Sequence, residues 1–223
     1  MARLHVLRVF VGENGAGGNP LGVFLEGASV PETRHQSVAA DLGFSETVFV
    51  EEVERGALRI FTPTDELPFA GHPLVGTAWL LAREGTEPET LRPPAGEVPV
   101  RFEDALTYIT GRPEWAPAFG EIELGSAEEV EALAGPPVGH DLVGVWAWED
   151  EEAGRVRVRV FAPAVGVEED EATGAHAVRL ADRLGRKIRI RQGQGSVILA
   201  EPRADGSVEI GGRTELVEVR DYY

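Results

Sequence analysis

The chain of 223 residues contains no cysteine. That removes disulfides, thiolate metal sites, iron–sulfur clusters and every cysteine nucleophile or cysteine base. Lysine is nearly as scarce, with Lys187 the only one, so Schiff-base chemistry has a single candidate. Positive charge is short altogether: 21 Lys and Arg stand against 38 Asp and Glu, a formal net charge of −17. Neutralising phosphates needs clustered basic side chains, so nucleic acid and anionic membrane surfaces are disfavoured as partners. An anionic small ligand has to be held by backbone dipoles or single Arg residues. No apolar run approaches the ~18 residues that span a bilayer. The opening Met1-Ala2-Arg3-Leu4-His5-Val6 lacks the apolar stretch and cleavage site of a signal peptide, which predicts a cytoplasmic protein.

What is present suits a folded enzyme-sized core: 43% of residues are hydrophobic and 26% charged. The length fits one large domain or two of about 110 residues, and an internal repeat points to two. Arg59-Ile60-Phe61-Thr62-Pro63-Thr64 recurs as Arg159-Val160-Phe161-Ala162-Pro163-Ala164. Each copy follows two strand-like runs joined by an acidic, Gly-containing turn. Alternation of Val and Arg over 156–160 is the period-2 signature of a strand with one wet face. After each copy a Gly opens a helix. Gly71-His72-Pro73 leads an almost wholly apolar helix, with Pro suited to the first turn and a buried location expected. Gly174-Ala175-His176 leads a helix with an apolar stripe at 177, 178, 180, 181 and 184, stopped by Gly185. Shorter helices are expected at 31–42 and at 127–134, the latter behind a Ser126/Glu129 capping box. Further strands are expected at 98–102, 106–110, 188–191, 197–201, 208–210 and 215–219. Residues 111–117 read as a linker, which divides the chain into lobes 1–112 and 113–223. The expected class is α+β, two pseudo-symmetric lobes each wrapping β-strands around a central helix.

In that arrangement the two helix starts face each other across an interlobe cleft. Their free N–H groups make each a candidate anion site. Glu46, ahead of an apolar strand, gains a raised pKa if buried there. Asp170, in the acidic run 168–171, sits near the second helix dipole. His72 is a candidate proton donor or substrate partner, and His176 can face either solvent or the cleft. The five histidines have no zinc-ligand spacing, and the acidic run lacks calcium-loop spacing, so no metal is expected. The Gly-rich stretch 12–20 leads into a strand, not a helix, which argues against nucleotide binding.

Gly18-Asn19-Pro20, Ser45-Glu46-Thr47, Arg59-Ile60-Phe61-Thr62-Pro63 with Glu66-Leu67-Pro68-Phe69-Ala70-Gly71-His72-Pro73, and Glu169-Asp170 with Ala172-Thr173-Gly174 together resemble the phenazine-biosynthesis PhzF family. The resemblance implies the diaminopimelate-epimerase-like fold and a cofactor-free, homodimeric isomerase whose active site lies between the lobes. It implies that Glu46 moves a proton between carbons of a small carboxylated substrate. His72 and Asp170 would position substrate or relay protons. Asn19, Gly71, Gly174, Ala175 and Gln192 would bind the substrate, its carboxylate held at the helix starts. Ala70 and Thr173 stand where related epimerases carry a pair of cysteines, which leaves carboxylate-mediated transfer. Ala175-His176 replaces the family's usual Ser-Ala and is expected to alter or crowd one anion pocket. That change motivates the alternative of a catalytically silent small-molecule-binding protein on the same fold.

Overall fold

The structure, a computed structural model, describes residues 2–163 and 167–223. Met1, and Ala164 at the end of the second repeat copy, lie outside the described residues. After β1 (Ala2–Val11), a first unit runs β2 (Asn19–Phe24), α1 (His35–Leu42), β3 (Glu46–Glu52), β4 (Ala57–Phe61), β5 (Glu66–Leu67), α2 (Gly71–Arg83), β6 (Thr90–Leu91), β7 (Val98–Glu103) and β8 (Leu106–Gly111). A second unit repeats this order as β9 (Gly120–Glu123), α3 (Ala127–Glu131), β10 (Val143–Asp150), β11 (Arg155–Ala162), β12 (Val167–Asp170), α4 (Gly174–Leu184), β13 (Ile188–Gln192), β14 (Ser196–Pro202) and β15 (Val208–Tyr222).

Strand pairing repeats as faithfully as element order. In each unit the first strand is parallel to the second, β2 to β3 and β9 to β10, and two antiparallel strands follow. Register gives a residue-level correspondence: Ile60 faces Leu67 in the first unit, Val160 faces Asp170 in the second. The result is an α+β fold of two pseudo-symmetric lobes, each with strands around one central helix.

Burial explains the two helices. On α2, Leu74, Val75, Ala78, Leu80 and Leu81 are all buried, because strands of its own lobe surround a helix that is apolar on nearly every face. Gly76 permits the closest approach. A Cβ there would lie 2.6 Å from a Leu21 methyl and 2.7 Å from one of Val9. In α4 the stripe Ala177, Val178, Leu180 and Ala181 is buried, while Asp182 and Arg183 face water. Gly185 ends it in the left-handed conformation (φ 62°), its N–H donating to Ala181 and Asp182 carbonyls. One hydrophobic cluster includes Leu74 and Val75 of α2, Val178 and Leu180 of α4 and Ile210 of β15, so the lobes share a core.

Four local expectations need correction. The 31–42 helix begins as a 3-10 turn, and the 127–134 helix ends at Glu131. Three residues of the acidic run 168–171, expected in the loop before the second helix, lie in a strand, Val167–Asp170, paired with β11. The strands expected at 208–210 and 215–219 are one strand of 15 residues. Gly211 and Gly212 are not a break: Cβ atoms there would lie 2.2 Å from Tyr108 Cδ1 and 2.6 Å from Phe10 Cδ1, so glycine is required by packing. Beyond them the strand pairs with β1, returning residues 213–222 to the first lobe's sheet.

Residues 111–117 are not a free linker either. Pro113–Trp115 form a 3-10 turn, and Arg179 of α4 donates to the carbonyls of Pro113 (3.0 Å) and Ala116 (3.2 Å). Trp115 packs on Phe69, ring centroids 5.8 Å apart.

Candidate active site

The two central helices meet start to start. A Cβ on Gly71 would lie 2.7 Å from Gly174 Cα, and one on Gly174 would lie 2.7 Å from Gly71 Cα. Only glycine allows this approach. Ala70 and Thr173 cap the two helices in extended conformation. Among the described residues, no protein acceptor is bonded to the N–H of Gly71, His72, Gly174 or Ala175. Each helix start carries roughly half a positive charge. Two such ends in contact repel, and negative charge placed beside them is stabilised.

Two carboxyls are held there, one from each lobe. Glu46 begins β3, with its side chain 16% exposed. Burial pushes its pKa up to about 8, with the Asp170 charge adding to the rise and a Ser45 hydrogen bond opposing it. Asp170 ends β12; burial raises its pKa too, against hydrogen bonds from Thr173, Asn19 and the Glu171 backbone. Thr173 Oγ1 donates to Asp170 Oδ2 at 2.6 Å and Asn19 Nδ2 to Oδ1 at 2.7 Å.

His72, in the first turn of α2, is 3% exposed, and its Nε2 lies 3.3 Å from Glu46 Oε2. This is not an ion pair. Loss of solvation drops the His72 pKa to about 3, against a hydrogen bond to the Pro20 backbone, so the imidazole is neutral at physiological pH. Glu46 Oε2 and His72 Nε2 have no well-oriented hydrogen-bond partner among the described residues, an arrangement that calls for a functional explanation.

Asn19 joins the lobes. Beyond its bond to Asp170, Nδ2 donates to the Ala172 carbonyl (2.9 Å), while Oδ1 accepts from Ser45 Oγ (3.0 Å). Gln192 braces the opposite side. Its Nε2 donates to the Asp170 carbonyl (2.8 Å) and Thr173 Oγ1 (2.9 Å), and its Oε1 accepts from Thr173 N (3.1 Å).

A cavity of about 450 Å³ opens at this point. Glu46, Asp170 and Ala175 line it, together with Ser45, Thr62, Ala70 and Thr173. Leu67, Phe69, Trp115, Phe119, Leu142 and Val160 supply apolar wall. Among the described residues no Lys, Arg or His lines it. Of the residues expected at the site, His72 and Asn19 lie behind the wall and contact the lining carboxyls, Gln192 lies behind it and holds the Asp170 backbone and Thr173, and Gly71 and Gly174 form the helix junction.

Sequence reasoning missed Ser45, Thr173, Trp115 and Phe119 as parts of this wall. The repeat held a signal for one of them, since Thr173 occupies in the second lobe the capping place of Ala70 in the first.

His176 faces neither solvent nor the cavity directly but packs behind its Phe119 wall. It is fully buried, with Nε2 3.0 Å from Glu121 Oε1 and its ring 5.2 Å from that of Phe119. Gly144 makes room for it, because a Cβ there would be 1.9 Å from Nε2.

Comparison with known proteins agrees with this architecture. The PhzC-PhzF family model, described as phenazine biosynthesis-like protein, matches residues 8–136, more than half of the chain. The chain belongs to this family. It is 33% identical to the trans-2,3-dihydro-3-hydroxyanthranilate isomerase of Pseudomonas aeruginosa, over 95% of this chain and 87% of that protein. It is 32% identical to the isomerase of the same name from P. fluorescens, over 87% of this chain and 82% of that protein. Among solved structures, a PhzC/PhzF protein of Clostridium difficile aligns over all of both chains at TM-score 0.80 and 19% identity. A PhzF-family protein of Enterococcus faecalis aligns at TM-score 0.76 and 23% identity, over 100% of this chain and 99% of that one. At those identities the likeness carries the fold. No described helix is long and apolar enough to cross a membrane.

Proposed function

We propose that this isomerase moves a proton between carbons of a small carboxylated metabolite, without a cofactor, by general acid/base catalysis with Glu46. The observation that carries the reading is the Glu46 carboxyl on the wall of the interlobe cavity, with a pKa of about 8. Near neutral pH such a group is present in both forms, so it can take a proton from one carbon and deliver one to another. The electron pair left on carbon is delocalised into the substrate, and the positive ends of α2 and α4 stabilise the resulting negative charge. Asp170 tunes Glu46, and neutral His72 orients its carboxyl.

The substrate's carboxylate is assigned to the helix junction, because the described lining offers no cationic side chain to hold it. The apolar wall suits a ring or short carbon skeleton, and the Pseudomonas relatives are named for a ring carboxylate. Lobes 1–112 and 113–223 close over it in this reading, with residues 213–222 crossing back to pair with β1 of the first lobe. A homodimer and a cytoplasmic location belong to the reading through family resemblance, and sedimentation analysis tests the first. The alternative, a catalytically silent small-molecule-binding protein on the same fold, rests on the Ala175-His176 change, of which Ala175 lines the cavity and His176 is buried behind Phe119; binding without exchange, unaffected by Glu46→Gln, would favour it.

The test is to incubate the protein with candidate carboxylates in deuterated water and follow deuterium at carbon. Glu46→Gln is expected to stop incorporation. Full turnover by Glu46→Gln on an identified substrate overturns the assignment.

A further inference from the structure

Asp170 and Asn19 are bonded across the lobes, and so are their chain neighbours. Ser196 Oγ, fully buried, accepts from the Gly18 backbone N–H at 2.8 Å and donates to Glu171 Oε1 at 2.7 Å. The Glu171 carboxylate also accepts from Gln194 N–H at 2.9 and 3.1 Å. Gly18 precedes Asn19 and Glu171 follows Asp170, so two cross-lobe links act on adjacent residue pairs and close a ring. One link fixes a separation; two fix an orientation as well. The backbone is shaped to fit. Gly17 (φ 66°) presses on the turn before Ser196, where a Cβ would lie 2.4 Å from Ser196 N. Gly193 (φ 52°) lies under the Glu171 carboxylate, where a Cβ would lie 2.2 Å from Oε2.

We propose that Ser196 and Glu171, neither of which lines the cavity, are positioning residues forming a latch that sets the Asp170 carboxyl against Glu46 across the two lobes. The inference rests on the Glu46–Asp170 pairing used above. Releasing the latch lets Asp170 swing away and water enter. Glu46 faces Asp170 from β12 and His72 from α2, and both consequences ease its ionisation.

The test uses the whole protein without substrate. The Glu46 carboxyl is titrated by ¹³C NMR, its signal assigned by its loss in Glu46→Gln. Ser196→Ala removes the central hydroxyl; Glu171→Asp withdraws the carboxylate by one methylene while keeping its charge. Both are expected to lower the Glu46 midpoint, Ser196→Ala by about one pH unit. Ser207→Ala, which removes a hydroxyl bonded to Asp205 in a distant hairpin, is expected to leave it in place whatever its effect on melting. Should Ser196→Ala not fold, Glu171→Asp decides. A wild-type midpoint in the folded latch variants overturns the latch and leaves the proton-transfer reading standing. Full turnover by Glu46→Gln overturns that reading instead, with the latch still measurable.

Discussion

The two lobes share a scaffold and differ in where each places its acid. Arg59 binds Glu66 through Nε (2.7 Å) and Nη2 (2.6 Å); Arg159 binds Glu169 through the same two atoms, both at 2.7 Å. The two guanidiniums lie over Phe61 and Phe161 at 5.2 and 4.9 Å. Register through these strands aligns Glu46 with Leu142 and Asp170 with Leu67, and all four line the cavity. Symmetry therefore ends at the chemistry. Each lobe offers one carboxyl and one leucine at these non-equivalent places, so the cleft holds two part-buried acids beside paired helix starts and an apolar wall, with exposed Glu114 also on its lining. Scaffold residues answer to the fold twice over, and the acids answer to a site that exists only once.

That contrast can be broken at several strengths. Glu46→Gln is expected to slow proton exchange at substrate carbon by about 10²- to 10⁴-fold, while Leu142→Ala costs less than about tenfold, both read as initial rates of deuterium incorporation. Asp170→Asn should lower the Glu46 midpoint, since the Asp170 charge helps raise it; Leu67→Ala should not, and carboxyl titration separates them. Gly71→Ala and Gly174→Ala should each lose about 1–3 kcal/mol by forced overpacking, seen as matching shifts of the urea midpoint. For pH the sign is set by Glu46. A carboxyl raised in the folded state contributes stability that is full below its ordinary pKa of 4.5 and lost as pH rises through about 8. Glu46→Gln should therefore melt higher than wild type above pH 8, the difference shrinking toward pH 4.5. His72, held neutral, acts oppositely: stability is lost as pH falls below 6.5 toward 3. Smallest of all, Arg59→Met and Arg159→Met should cost about 1 kcal/mol or less each, and nearly the same amount, because both pairs are partly exposed.

Much of the scaffold is legible in the chain itself. The recurrence of Arg59–Pro63 at 159–163, with Gly71 and Gly174 opening helices behind it, is local, and helix burial follows from apolar periodicity. Glu46 and Asp170 stand out as acids beside apolar or glycine-led segments. The illegible parts are long-range. β12 carries Glu168, Glu169 and Asp170, a composition that disfavours strands, and it pairs along the end of β11 that β13 leaves open beyond Val158. The 113–117 wall reads as a linker from its prolines; it is held by Arg179, more than sixty residues away. Gly211-Gly212 reads as a break because the Tyr108 and Phe10 rings that demand it lie elsewhere in the sequence. Ser196 carries no local mark, since its two partners come from different lobes.

In the proposed mechanism, closure of the lobes keeps a proton on Glu46 near neutral pH. Titrating the Glu46 carboxyl carbon in the wild-type protein addresses it without a substrate. A midpoint near 8 is expected; a midpoint at or below the ordinary 4.5 would rule the mechanism out.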